Sequence, residues 1–214
     1  SGVNVAKVQP EKLAAMELHW NTNPNDTGAP LHLIAIPNQE GNGNSYELNI
    51  PNALSILITR DAHGTIPGIN SFQEDVRPSV LDSVLMFYSL RVMIIIGFIL
   101  VGLVLLGLLY WRKGFLNESA LLSHRFFLGM WLFAIPLGFI ASEAGWMVRE
   151  IGRQPWMIYH LLRVSDSVSV GLDPLILAII LGAIVLLYLT LGTIFVYFTR
   201  KTIIKGPTLE NSNS

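Results

Sequence analysis

Three uninterrupted apolar runs constrain this chain more than anything else in it. Residues 92–111 carry no charge over 20 positions, residues 126–142 none over 17, and residues 174–198 none over 25. A bilayer's hydrocarbon core is about 30 Å thick and a helix rises about 1.5 Å per residue, so each run can cross it, the middle one with little to spare. Inside lipid every backbone N–H and C=O must be satisfied within the segment, which makes helix the expected form. The second span is expected to extend through Trp146, with Glu143 facing protein or cofactor. A content of 51% hydrophobic and only 14% charged residues agrees with a membrane protein.

Residues 1–82 read differently, as a polar segment rich in Asn, Gly and Pro. The chain therefore divides into that region, a three-helix membrane region over 83–206, and a short tail over 207–214. Three crossings put the two ends on opposite sides of the membrane. Arg112, Lys113 and Arg125 flank the first turn, and Arg200, Lys201 and Lys205 follow the last span, so both are expected to be cytoplasmic and the polar region extracytoplasmic. Within that region Lys12–Trp20 shows helical spacing, Asn21–Gly43 reads as loop with a short strand at Leu31–Ile36, and Leu48–Arg60 is an apolar patch interrupted by Pro51. A net charge of −1 without a basic block points away from nucleic acid, and the absence of Cys excludes disulfides, thiolate metal sites and c-type haem attachment. The chain begins at Ser1 without an initiator Met, which suggests that the front of a longer protein is missing.

The chemistry gathers at span ends. Gly145-Trp146-Met147-Val148-Arg149-Glu150-Ile151-Gly152-Arg153-Gln154-Pro155-Trp156 puts carboxylate, guanidinium and indole groups where the second span leaves the membrane, and ionisable groups at such depth commonly mark a site. At about 100° per residue, Glu143, Trp146, Glu150 and Arg153 share roughly a quarter of a helix circumference. Gly and Pro then end the helix just beyond Glu150. Glu150 has two readings: an interfacial carboxylate paired with Arg149 or Arg153, or an anionic ligand to a haem iron. Arg91 and Met93 sit near the outer end of the first span, and the second span, loosened at Pro136, runs back to that same end. Met93 and Glu150 should therefore converge beside the polar region. The histidines His19, His32, His63, His124 and His160 show no metal spacing and read as ordinary loop or interface residues.

The GRQPW run ending at Trp156 resembles a signature of subunit I of the cytochrome bd-type quinol oxidases. Arg91-Val92-Met93 resembles the segment of that subunit holding the methionine ligand of its low-spin b haem. Gln9-Pro10-Glu11-Lys12-Leu13-Ala14-Ala15-Met16-Glu17 is similar to its quinol-binding loop. The resemblance implies roles for Lys12 and Glu17 in quinol oxidation, and for Met93 as a ligand of the low-spin haem iron. It likewise implies Glu150 as a ligand of a high-spin haem iron, with Arg91 and Arg153 near propionates and Trp146 against the same cofactor as Glu150. The fold it implies is an all-α membrane protein in a prokaryotic cytoplasmic membrane, with three transmembrane helices forming part of a larger helical bundle.

The cofactors implied are a low-spin haem b, a high-spin haem b, and haem d or a b-type haem in its place. The partners implied are the missing N-terminal helices of subunit I with their histidine ligands, subunit II, small single-span subunits, quinol, dioxygen and lipid. The complete enzyme would oxidise quinol outside and reduce dioxygen to water, generating membrane potential; this chain alone would not be active. The loop between Glu17 and Arg91 looks compact, as in the short-loop branch of the family. The alternatives are a non-catalytic scaffold or assembly paralogue of the subunit, and an unrelated quinol-linked b-type cytochrome.

Overall fold

The computed structural model describes residues 2–24, 27–115, 124–167, 171 and 173–206. The expected tail over 207–214 lies outside the described residues, as does the stretch 116–123 between the first two spans.

In the polar region, α1 (Gly2–Val8) leads into α2 (Pro10–Met16), which starts with proline at its first turn, where no N–H partner is needed. The helical pattern predicts continuation to Trp20, yet α2 stops at Met16. Glu17 caps it, and Leu18 takes a left-handed conformation with φ 46°. That geometry costs energy for a residue with a Cβ and persists because Leu18 is fully buried beside Trp20, Ala35, Ile69 and Phe87. The expected strand is present as β1 (Leu31–Pro37), and it pairs antiparallel with β2 (Asn44–Ile50). After Pro51 the apolar patch continues as α3 (Ala53–Thr59).

Two long helices carry the membrane character of the first compact unit, which spans residues 1–166. The first, α4 (Val80–Arg112), is capped by Ser79, whose hydroxyl accepts from the Asp82 amide. Its first turns bury Ser83, Met86 and Phe87 against the polar region, while the apolar remainder is mostly exposed. The second, α5 (Arg125–Ile151), contains Pro136 and runs antiparallel to α4. Gly107 faces the Trp131 ring and Gly145 faces the Met93 sulfur, so small residues let the two backbones approach. A second hairpin follows, β3 (Trp156–Ile158) with β4 (Leu162–Arg163).

By itself, α6 (Pro174–Lys205) is capped by Asp173, whose carboxylate accepts from the Leu175 amide, and it buries none of its described residues. All three long helices are long and apolar enough to cross a membrane. The expectation of an all-α fold is corrected by the two hairpins. The β1–β2 pairing joins residues on either side of an Asn- and Gly-rich turn, and β2, which mixes polar with apolar positions, does not declare itself without β1.

Candidate functional site

Arg91 is one helical turn beyond Phe87, and its guanidinium lies 3.7 Å from the centre of that ring. Its Nη1 donates to the Met16 carbonyl at 2.6 Å, and its Nη2 donates to Glu17 Oε2 at 2.6 Å and to the His32 carbonyl at 2.5 Å. One side chain thus ties α4 to the end of α2 and to β1. The side chains of Arg91 and Glu17 are only 13% and 9% exposed, so each is a charge in low dielectric that needs the other. Burial pushes the Glu17 carboxyl above the usual carboxylate range, an effect that Arg91 opposes in part.

His32, read as ordinary, is buried in this cluster. Its Nδ1 lies 2.9 Å from the Glu17 carbonyl and its Nε2 lies 3.0 Å from Glu47 Oε2, at a half-exposed carboxylate. His19 is also buried, and its Nε2 finds no hydrogen-bond partner among the described residues.

Lys12 takes other partners. Its Cε lies so close to Gly152 that a Cβ there would meet it at 2.6 Å, with the Met86 sulfur at 2.9 Å. Burial, then the neighbouring charges of Arg153 and Arg149, hold the Lys12 ammonium below the usual lysine range, against the pull of Glu150. The glycine of the GRQPW run thus admits the lysine of α2 to the end of α5. Next to Lys12, the buried Glu11 accepts a 2.5 Å hydrogen bond from the Tyr159 hydroxyl. Burial, reinforced by that bond, pushes the Tyr159 hydroxyl up. The second hairpin is fixed further by Arg163, which bonds Asp75 at 2.7 Å and lies over the Trp156 ring.

Glu150 is half-exposed, with Arg149 Nε at 3.7 Å and the Arg149 guanidinium over the Trp146 ring. Because α5 ends at Ile151, Arg153 sits in the turn beyond the helix rather than on the shared helical face, with its amide donating to the Glu150 carbonyl. Met93, half-buried, directs its sulfur toward Gly145. The N-terminal part of α4, from Met86 to Met93, therefore lies beside α5 from Gly152 back to Gly145, and α2 covers that end.

The predicted residues separate into two groups, Glu17 with Arg91 and Lys12 with Arg153 and Glu150. Both are held by α2 and its C-cap, where positions 12 and 17 point about 140° apart. Glu11, His19, His32, Glu47 and Tyr159 were not legible as members. Tyr159 is 148 positions from Glu11, and no local spacing announces such a bond. Among the described residues no cluster of three His, Asp or Glu side chains is arranged for a metal ion.

Comparison with known proteins gives a consistent result. The chain is 28% identical to the cytochrome bd-II ubiquinol oxidase subunit 1 of Escherichia coli, over 99% of this chain and 52% of that protein. It is 29% identical to the cytochrome bd ubiquinol oxidase subunit 1 of Bacillus subtilis, over 95% of this chain and 43% of that protein. It superposes on the solved structure of the bd oxidase from Geobacillus thermodenitrificans with a TM-score of 0.63 and 32% identity, covering 94% of this chain and 44% of that one. The chain therefore spans about half the length of these relatives. The E. coli alignment runs over 274 positions, more than the 214 residues of this chain, so that relative carries extra residues within the matched region. A family model described as cytochrome bd terminal oxidase subunit I matches residues 1–207, and the chain belongs to that family.

Proposed function

We propose that this chain is the C-terminal part of subunit I of a terminal respiratory oxidase, which oxidises quinol and passes the electrons to dioxygen. The observation that carries the reading is the seating of α2, with Lys12 and Glu17, on the outer end of the α4–α5 pair where Arg91, Met93 and Glu150 lie. The exposed apolar surface of α4, α5 and α6 is covered by lipid, by the N-terminal helices of subunit I, by subunit II and by small single-span subunits. The basic residues after the spans orient the polar region outside and the C-terminus in the cytoplasm of a prokaryotic cell.

Glu17 acts as general base toward one quinol hydroxyl, a task suited to a carboxyl whose proton affinity burial has raised. Lys12 binds and polarises a quinol oxygen. Haem, when bound, supplies one-electron chemistry, as a low-spin haem b, a high-spin haem b, and haem d or a b-type haem in its place. The donor set fits: Met93 offers a thioether beside a glycine that leaves it room, and Glu150 offers a half-exposed carboxylate with Arg149 Nε at 3.7 Å. Of the five N–H groups of Arg91, three are used, which leaves Nε–H and one Nη1 proton for a propionate. Arg153 offers a second cation, and Trp146 covers the face beside Glu150.

The test is Glu150→Gln in the assembled oxidase. It conserves shape but removes the anionic donor, so one high-spin haem should be lost or altered and oxygen reduction should collapse, while the low-spin haem remains reducible by quinol. Arg153→Ala should give a milder form of the same defect. Full haem content and normal oxygen turnover in Glu150→Gln would make Glu150 an interfacial residue and return the chain to a scaffold role.

A further inference from the structure

His32 and Glu47 form a hydrogen-bonded pair that leads from the end of α2 toward water. The Glu17 carbonyl can only accept, so His32 Nδ1 carries the hydrogen of their 2.9 Å bond. That tautomer turns Nε2, the ring nitrogen that can take a proton, toward Glu47 Oε2 at 3.0 Å. A proton arriving at Nε2 is thus shared directly with the Glu47 carboxylate. Asn44 and Asn49 donate to the same carboxylate at 3.3 and 3.1 Å and hold it in place.

The surroundings suit proton traffic. His32 is buried, whereas the Glu47 side chain is 44% exposed, so the pair runs from the interior to water. His32, Glu47, His19 and Asn44 line one polar cavity of about 170 Å³. The unpartnered Nε2 of buried His19 at that cavity is a further polar group calling for water. The charged and titratable groups facing His32 are the Glu17 carboxylate from α2, the Arg91 guanidinium from α4 through the His32 carbonyl, Glu47 from β2, and His19.

We propose that the His32–Glu47 pair is the outlet through which the quinol proton taken by Glu17 reaches the outer aqueous phase. The inference rests on the reading of Glu17 as the base in quinol oxidation. Each of the two quinol O–H bonds breaks in turn, its proton going to the Glu17 carboxylate and one electron leaving separately to the low-spin haem, so the cycle runs twice for each quinol oxidised to quinone. The Glu17 proton passes to the pair at its buried end, where His32 lies against the Glu17 backbone, and Glu47 at the exposed end releases a proton to bulk water. No net proton stays behind, and Glu17 returns to the carboxylate bound by Arg91.

Two variants of the assembled oxidase keep the local bonds and remove the proton site. Glu47→Gln donates an amide hydrogen to a neutral His32 Nε2, and His32→Asn retains a donor to the Glu17 carbonyl. Both should lower quinol-dependent kcat by about tenfold or more, with KM for quinol unchanged and the pH dependence of kcat flattened. Haem content, and oxygen reduction driven by an artificial donor that reduces the haems directly, should stay at the parent level. Added imidazole should restore the rate by carrying the proton. An unchanged rate and pH profile in both variants, or a rate loss that imidazole does not relieve, would overturn the proposal. Glu17→Gln separates the two readings: normal quinol turnover there defeats the assignment of Glu17 itself, whereas a defect there beside normal His32 and Glu47 variants defeats only the outlet.

Discussion

Removing Arg91 should strand a buried carboxylate, and the cost depends on pH. In Arg91→Met the Glu17 side chain, 9% exposed, loses its partner at 2.6 Å, and the Met16 and His32 carbonyls lose their donor. Breaking a buried pair from one side costs about 3–5 kcal/mol, because the remaining charge is left without compensation. Glu17 has an escape, since it can bind a proton. Its folded value already lies above the reference 4.5, so between that value and its folded one the native state binds more protons than the unfolded state. Stability from this group is therefore fully present below about pH 4.5 and declines as pH rises through the raised folded value. Without Arg91 the folded value rises further, so the decline should extend to higher pH.

The measurement is amide hydrogen exchange of residues 13–20 in the assembled complex, at two pH values, across a cycle of Arg91→Met, Glu17→Gln and the double variant. Opening should become easier by the full amount at high pH in Arg91→Met and by clearly less at low pH. The double variant should recover most of the loss, because no charge is stranded, and the cycle cancels any separate effect of Arg91 on a propionate. Single costs that simply add, or a cost in Arg91→Met that ignores pH, would refute the view that Glu17 and Arg91 are a mutually dependent buried pair.

Two further outcomes are expected. Tyr159→Phe removes the hydroxyl that satisfies buried Glu11, a charge-assisted bond of about 1.5–3 kcal/mol, and exchange in α2 and the second hairpin should accelerate together; acceleration confined to the hairpin would exclude a tie between them. Met93→Leu should leave α4–α5 packing within about 1.5 kcal/mol because volume is roughly kept. The low-spin haem spectrum of the assembled complex should nevertheless shift, and an unchanged reduced-minus-oxidised spectrum would make Met93 a packing residue.

The spans were legible because crossing a bilayer depends on a property that a single segment owns, a sufficient length of uncharged side chains. The end of α5 just beyond Glu150 was legible for a similar reason, since glycine and proline act locally on the backbone. The GRQPW, Arg91-Val92-Met93 and Gln9–Glu17 motifs, being contiguous, could be read as resemblances and led to the family to which the chain belongs. Only β1 was legible among the strands; β2, β3 and β4 were not, because each gains its bonds from a partner strand rather than from a pattern of its own.

Partnership is where the sequence alone stops. Arg91 reads equally well as an interfacial cation or a propionate binder, and the fold adds a third role by bringing Glu17, 74 positions away, to its Nη2. His32 looks like any loop histidine until β1 carries it against the end of α2 and β2 supplies Glu47. Lys12 and Glu17 are five residues apart, yet the curvature of one short helix sends them to different partners. A side chain's type is written in the chain, but its charge state and chemistry depend on burial and on which distant groups the fold sets within about 3 Å of it.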